Sequence, residues 1–188
     1  MRNVWQLWSG YLSKSVCNNI IEYCCLFPSS QSNIGFGDQV ITDNNYRNSI
    51  IRWVDPNNSV ISPIIVYLTL QANKNAFNYD IYPEVKELQF SEYQSEELNH
   101  YDWHYDTDWN NPDNYDRKLS VIIQLSDSDD YQGGDFLFER SIQQPNLNNL
   151  RKQGSILIFP SFLSHKICNV TFGKRYSLVT WIHGPKFK

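Results

Sequence analysis

The sequence contains no run of lysine or arginine, and its 16 basic and 20 acidic side chains give a formal net charge of -4. The electrostatic footprint of a generic nucleic-acid binder is therefore missing, and nucleic acid is not the expected partner. No stretch approaches the ~20 apolar residues of a membrane span. Met1, Arg2, Asn3 and Val4 lead into Trp5 and Gln6 and not into an apolar signal core, so a soluble, cytoplasmic chain is expected. Cysteine is scarce. Cys17, Cys24, Cys25 and Cys168 lack Cys-x-x-Cys zinc spacing, three of them fall in one predicted helix, and the neighbours Cys24 and Cys25 do not readily bridge each other. Reduced, mostly buried thiols are expected. No internal repeat or low-complexity linker divides the 188 residues, which fits a single domain over 1–188.

What the chain does have is apolar material at 41% of residues and aromatic rings at 15%, enough for one sizeable core and too aromatic for disorder. Ser13 or Ser15 is placed to cap a helix over about 14–27, with Val16, Ile20, Ile21, Tyr23 and Cys24 at helical spacing and Pro28 to stop it. A second helix is predicted over about 59–78, after the turn residues Asp55 to Asn58, with Pro63 tolerable only in its first turn. From Glu84 the pattern changes to short β-branched and aromatic runs, at 84–93, 100–106, 118–125, 134–139, 154–159, 165–170 and 174–183. Glycines at Gly133-Gly134, Gly154 and Gly173 mark hairpins or bulges, so neighbouring strands are expected to be antiparallel. The fold class predicted is mostly β with N-terminal helices: a helical buttress over about 1–80 and an antiparallel barrel or jelly roll over about 84–185.

His104-Tyr105-Asp106 places an imidazole and a carboxylate two residues apart, on one face of a predicted strand, as ligands of one ion require. A His-x-Asp also arises by chance on surface strands, and His100-Tyr101-Asp102 repeats the pattern four residues earlier at the same parity. His165 heads another predicted strand. Two histidines and one carboxylate make the facial triad that leaves positions open for non-haem Fe(II) chemistry. Arg175 follows ten residues later, and a hairpin at Phe172-Gly173-Lys174 would return its guanidinium beside the His165 imidazole. Arg175 then binds a carboxylate through two parallel hydrogen bonds, with the Ser177 hydroxyl on the same face, unless it serves instead in a structural ion pair.

These residues resemble the prolyl-4-hydroxylase-like branch of the Fe(II)/2-oxoglutarate dioxygenases, whose pattern is Tyr-x-x-His-x-Asp, then Gly-Gly, a downstream His, and a basic residue before an aromatic strand end. This chain reads Tyr101-Asp102-Trp103-His104-Tyr105-Asp106, Gly133-Gly134, His165 and Arg175, with Trp181 ending the strand, across about residues 84 to 185. The resemblance selects His104 over His100, because only His104 has a Tyr three positions upstream, and it leaves His100 as a rim residue. It implies a double-stranded β-helix, with His104, Asp106 and His165 holding Fe(II) and Arg175 holding the far carboxylate of 2-oxoglutarate. Tyr93, Tyr101 and, more weakly, Gln124 are implied as further co-substrate contacts, although the loop from Gln94 to Asn99 lacks the family's usual Gly.

The activity implied is O2-dependent hydroxylation of an unactivated C–H bond with release of succinate and CO2, with ascorbate helping to keep the iron reduced. A prolyl or other side chain in a protein or peptide is the implied substrate, by analogy of fold. A free amino acid or small metabolite is the alternative within this chemistry. A non-catalytic metal-binding jelly roll and a metal-dependent hydrolase are the alternatives outside it, and neither needs Arg175. The segment Thr107 to Asp116 carries Trp109 and Tyr115 directly after Asp106, and reads either as a substrate lid or as a solvated loop. Trp103 alternates away from His104 and is expected in the core, while Arg52 and Trp53 are left open.

Overall fold

The computed structural model of the chain describes residues 4–33, 41–110 and 112–188. Met1, Arg2 and Asn3, on which the reading of the N-terminus began, and Asn111 of the expected lid lie outside the described residues. Helix α1 spans Lys14–Cys24, and the Ser13 hydroxyl accepts a hydrogen bond from the Val16 amide at its start. Its buried residues Cys17, Ile20 and Cys24 recur at spacings of three and four, which is one face of a helix. Helix α2, Ser62–Ala72, begins with Pro63 in its first turn and buries Ile65, Leu68, Thr69 and Ala72. The single helix expected over 59–78 is thus interrupted: Asn73–Phe77 forms a wider π turn, closed by left-handed Asn78 at φ 55°. None of the helices among the described residues is long and apolar enough to cross a membrane.

The strands form two antiparallel sheets. The large sheet takes β1 (Gln6–Trp8), β10 (Ile156–Pro160), β7 (Tyr115–Gln124), β12 (Val170–Pro185), β5 (Leu88–Gln94), β4 (Ile50–Val54) and β2 (Ser30–Gln31) in that order, with β8 (Tyr131–Gly133) also paired to β12. The small sheet is β3 (Arg47–Asn48), β6 (His100–His104), β11 (His165–Ile167) and β9 (Phe136–Phe138). Along β7 the alternation assigns each face. Leu119, Val121 and Ile123 join Cys17, Ile20, Ile65 and Leu68 in a core under the helices, whereas Ile122 joins Phe136, Phe138, Leu157, Phe159 and Ile167 in a core between the sheets. Each such fully buried aliphatic or aromatic side chain contributes about 1.5–3 kcal/mol of burial free energy.

Two expectations are corrected here. The segment over 1–80 is not only a helical buttress, because it contributes β1, β2, β3 and β4 to the two sheets. Nor is there a hairpin at Phe172-Gly173-Lys174: β12 runs through it unbroken for 16 residues. Gly173 has φ +65° and carries no Cβ because one there would lie 2.0 Å from the Asp130 carbonyl oxygen, so its signal is close backbone approach and not chain reversal. The reversal occurs at Cys168 and Asn169, between the small-sheet strand β11 and the large-sheet strand β12. Of the cysteines, all free, Cys17 and Cys24 are buried, Cys168 is partly covered and Cys25 is exposed, so burial is less general than expected. Burial pushes the Cys17 thiol up to about 11 and Cys24 up to about 12, which makes both poor nucleophiles.

Candidate metal centre

His104 closes β6 and His165 opens β11, and the two are direct partners across the small sheet. Asp106 lies beyond the end of β6, so strand alternation is not what aims it. The amides of Asp106 and Thr107 both donate to the Ser161 carbonyl, at 2.9 and 3.2 Å, and that clasp folds the carboxylate back toward the imidazoles. His104 Nε2 lies 3.7 Å from Asp106 Oδ1 and His165 Nε2 lies 3.6 Å from Asp106 Oδ2. One ligand atom from each residue falls within 4.8 Å of the other two, the one such group of three among the described residues. All three side chains are buried.

Hydrogen bonds settle which nitrogens face inward. His104 Nδ1 is 2.7 Å from the Asp102 carbonyl and His165 Nδ1 is 2.8 Å from the Leu163 carbonyl. A carbonyl only accepts, so each Nδ1 carries a proton and each Nε2 is the nitrogen turned toward Asp106, the ring orientation that metal ligation needs. Burial, reinforced by the His165 imidazole, holds His104 down at about 3, so its ring is neutral at physiological pH. Burial pushes the Asp106 carboxyl up, but His165, His104 and the Ser120 hydroxyl outweigh it and hold the group below the usual carboxylate range. The donor set is therefore two imidazoles, each with Nε2 turned inward, and one carboxylate, the ligand types that hold a divalent cation.

Supporting groups surround these three. Ser120 Oγ donates to Asp106 Oδ2 at 2.6 Å and, having one proton, accepts from Ser161 Oγ at 2.9 Å. The Tyr101 ring stacks on the His104 imidazole with centroids 3.5 Å apart and planes 9° from parallel. On Tyr101 in turn rests the Arg47 guanidinium, 4.4 Å from the ring centroid. The decoy His100 takes no part: its ring nitrogens face the Leu98 and Asn45 carbonyls at 3.1 and 3.0 Å, and it does not line the site.

The cluster opens into a cavity of about 540 Å³ between the sheets. Tyr93 from β5 and Ser177 from β12 line it. Arg175 does not, because it lies two residues deeper along β12, 3% exposed, with its guanidinium 5.6 Å from the Tyr93 ring centroid. Arg175 Nη1 is buried and has no hydrogen-bond partner. No carboxylate pairs with Arg175 among the described residues, which removes the structural ion pair as its role. Gly134, at φ +62°, makes room for this side chain, since a Cβ there would lie 3.0 Å from Arg175 Cδ and 2.9 Å from Val170 Cγ2. Gln124 also falls outside the cavity lining. Its amide nitrogen donates to the Ser126 carbonyl at 3.0 Å and to the Tyr131 hydroxyl at 3.1 Å.

Several sequence-based assignments at the mouth change. Tyr115 is not in a loop but begins β7, with its ring 4.8 Å from that of His183, and Trp109, 60% exposed, has its ring 5.7 Å from that of Phe187; neither lines the cavity. Of the segment after Asp106, Thr107 does line it. Trp103, expected in the core, is 37% exposed and faces the cavity. Trp53, 48% exposed, also lines it, 6.5 Å from the ring of Trp181, while Arg52 pairs with Glu92 at 2.8 Å elsewhere. Arg117 adds a guanidinium 3.7 Å from the Trp181 ring centroid. Trp181 was legible in principle, since Arg175, Ser177, Val179 and Trp181 share one parity of β12; Arg47 and Trp53 come from strands too short for periodicity to reveal. Because Trp109 rests on Phe187, Trp109→Ala is expected to expose the chain around residue 109 to limited proteolysis without changing metal affinity. Equal protease resistance of variant and parent would show that this contact holds nothing in place.

Comparison with known proteins agrees with the donor set. Residues 88–183, just over half of the chain, match the 2OG-Fe(II) oxygenase superfamily. A PKHD-type hydroxylase of Synechococcus sp. (strain CC9311) is 42% identical over 82 residues, covering 44% of this chain and 36% of that protein. One of Prochlorococcus marinus is 33% identical over 129 residues, covering 69% and 53%. The chain thus spans from about a third to about half the length of these curated relatives. Among solved structures, a viral collagen prolyl hydroxylase of Paramecium Bursaria Chlorella virus-1 superposes with TM-score 0.71 at 17% identity, over 97% of both chains. A Pseudomonas putida prolyl-4-hydroxylase gives TM-score 0.70 at 17% identity, over 98% of this chain and 94% of that one. These likenesses establish the double-stranded β-helix, and the match across β5 to β12, which carry His104, Asp106 and His165, means that this chain belongs to the 2OG-Fe(II) oxygenase superfamily.

Proposed function

We propose that the chain is a single-domain 2-oxoglutarate- and Fe(II)-dependent dioxygenase that hydroxylates an unactivated C–H bond, releasing succinate and CO2. The observation that carries this reading is the His104, Asp106 and His165 set opening on a cavity, with the buried Arg175, whose Nη1 has no hydrogen-bond partner, two residues beyond the cavity-lining Ser177 on the same face of β12. In this reading His104, Asp106 and His165 hold the iron, which when bound supplies the oxygen chemistry, with ascorbate keeping it reduced. Arg175 binds the far carboxylate of 2-oxoglutarate, Ser177 and Tyr93 line its path, and Tyr101 braces the His104 ring by stacking on it. Ser120 fixes the Asp106 carboxylate so that a defined oxygen remains for the metal.

A side chain of a protein or peptide is the substrate this reading favours, a prolyl ring first. Support comes from the mouth, where Trp53, Trp103 and Tyr105 are exposed and line the cavity with Trp181 behind them. Flat aromatic walls bury an extended segment and a saturated ring with little side-chain ordering cost. Prolyl hydroxylases are among the solved structures of the same fold, one of them, from Trichoplax adhaerens, in complex with a peptide fragment. The test is an anaerobic titration of the protein with Fe(II) and then 2-oxoglutarate, read by the weak visible charge-transfer absorption of the chelate, followed by a screen of proline-containing peptides against free amino acids for succinate release. Absence of the absorption at saturating Fe(II) overturns the reading. Succinate release with free amino acids and none with peptides keeps the chemistry and moves the substrate class.

Gly134 offers a separate check on Arg175. With φ +62° and no space for a Cβ, Gly134→Ala is expected to displace the Arg175 side chain and raise the Kd for 2-oxoglutarate about tenfold, about 1.4 kcal/mol, while Fe(II) affinity stays unchanged. Unchanged 2-oxoglutarate affinity would show that Arg175 is not where that ligand is held.

A further inference from the structure

Beside Arg175, beyond the cavity lining, is a second buried donor with no acceptor among the described residues. Gln124 Nε2 lies 3.0 Å from the Ser126 carbonyl oxygen and 3.1 Å from the Tyr131 hydroxyl oxygen. Because a carbonyl only accepts, the amide is oriented with nitrogen toward Ser126, and its second N–H goes to Tyr131. Tyr131 Oη is therefore an acceptor in this bond, and its own proton is free to be donated. Tyr131 is 2% exposed, so bulk solvent does not reach that proton, and its hydroxyl has no other hydrogen-bond partner among the described residues. Arg175, 3% exposed, has Nη1 in the same condition.

The two side chains approach each other at Gly134. Gly134 sits between them: the position a Cβ would occupy lies 3.0 Å from Arg175 Cδ and 3.5 Å from Tyr131 Cε2. Gln124 is the register partner of Ser177, on the same face of the large sheet as Arg175. The Tyr131 ring is fixed from behind by Arg151, whose guanidinium lies 4.3 Å from the ring centroid and donates to the Tyr131 carbonyl at 3.0 Å. Arg151 also bonds Asp135 at 2.6 Å, so its own charge is answered, while that of Arg175 is not.

Resting on the reading above, we propose that the Tyr131 hydroxyl is a second donor to the distal carboxylate of 2-oxoglutarate, held in register by Gln124 and acting beside Arg175. A carboxylate has two acceptor oxygens and no proton, so it satisfies both orphaned donors at once. Gln124 thus contributes to co-substrate binding by orienting Tyr131, not by touching the ligand.

The experiment compares the Fe(II)-loaded parent, Tyr131→Phe and Gln124→Leu by anaerobic titration with 2-oxoglutarate and with 2-oxobutyrate, which has the same chelating end but no distal carboxylate. Tyr131→Phe is expected to raise the Kd for 2-oxoglutarate about tenfold and to leave that for 2-oxobutyrate unchanged. Gln124→Leu is expected to do the same by a smaller factor, which keeps the test open should Tyr131→Phe fail to fold. Equal affinity of parent and both variants for 2-oxoglutarate overturns the proposal while leaving the reading of the site intact, and so does a parallel loss for both keto acids, which marks Tyr131 as structural only. A parent that binds neither keto acid overturns the reading of the site and this proposal together.

Discussion

Asp106→Ala is expected to remove Fe(II) binding altogether, and His104→Ala and His165→Ala to do the same, while His100→Ala leaves it at the parent level. Each of the three residues supplies one atom to a group whose members lie within 4.8 Å of one another, and removing any one leaves two donors, too few to hold a divalent ion against water. His100 is excluded on geometry, since both of its ring nitrogens face backbone carbonyls. A graded control is available in Ser120, which touches Asp106 and not the metal position: Ser120→Ala should weaken iron about tenfold, within the 10- to 100-fold range for groups that orient ligands. The measurement is equilibrium competition with a chelator under anaerobic conditions, alongside thermal unfolding to confirm that each variant is folded. Retention of iron by His104→Ala together with its loss in His100→Ala would reverse the assignment.

How much of this was visible beforehand differs by the range of the interaction. His104, Asp106 and His165 were legible because ligand chemistry restricts residue type and because the motif sits in a predictable strand. Strand alternation alone does not account for their common face, however: β6 ends at His104, and the carboxylate is turned inward by two amides bonded to the Ser161 carbonyl, 55 residues along the chain from Asp106. No local pattern encodes that bond. Glycine marks both chain reversal and close packing, and at Gly173 only the distance to the Asp130 carbonyl distinguishes the two. The mouth was least legible. Trp53 and Arg47 lie on β4 and β3, five and two residues long, whose pairing with β5 and β6 is what carries them to the cavity. Trp109 is an exposed aromatic, as its polar, turn-rich surroundings predict, but it and Tyr115 pack on Phe187 and His183 outside the cavity lining, contacts that no local pattern encodes.

Arg175→Ala is expected to leave Fe(II) affinity unchanged and to weaken 2-oxoglutarate by roughly 2–5 kcal/mol, about thirty- to several-thousandfold, the cost of leaving one partner of a desolvated, hydrogen-bonded charge pair alone. The physical case begins with what the arginine lacks. Its guanidinium is buried, Nη1 is unbonded, and no acidic side chain answers its charge among the described residues, an arrangement that is costly unless an anion arrives. Because that cost is carried by the unliganded protein, removing the guanidinium should also raise the melting temperature of the protein without 2-oxoglutarate, or leave it unchanged, while abolishing the stabilisation that added 2-oxoglutarate confers. Arg175→Lys should recover part of the affinity, since the charge remains but the two-point fork is lost. The two measurements separate a binding role from a structural one: a folded Arg175→Ala variant that still binds 2-oxoglutarate with parental affinity removes Arg175 from the site, and a variant with a sharply lowered melting temperature and parental affinity shows that its charge serves the fold.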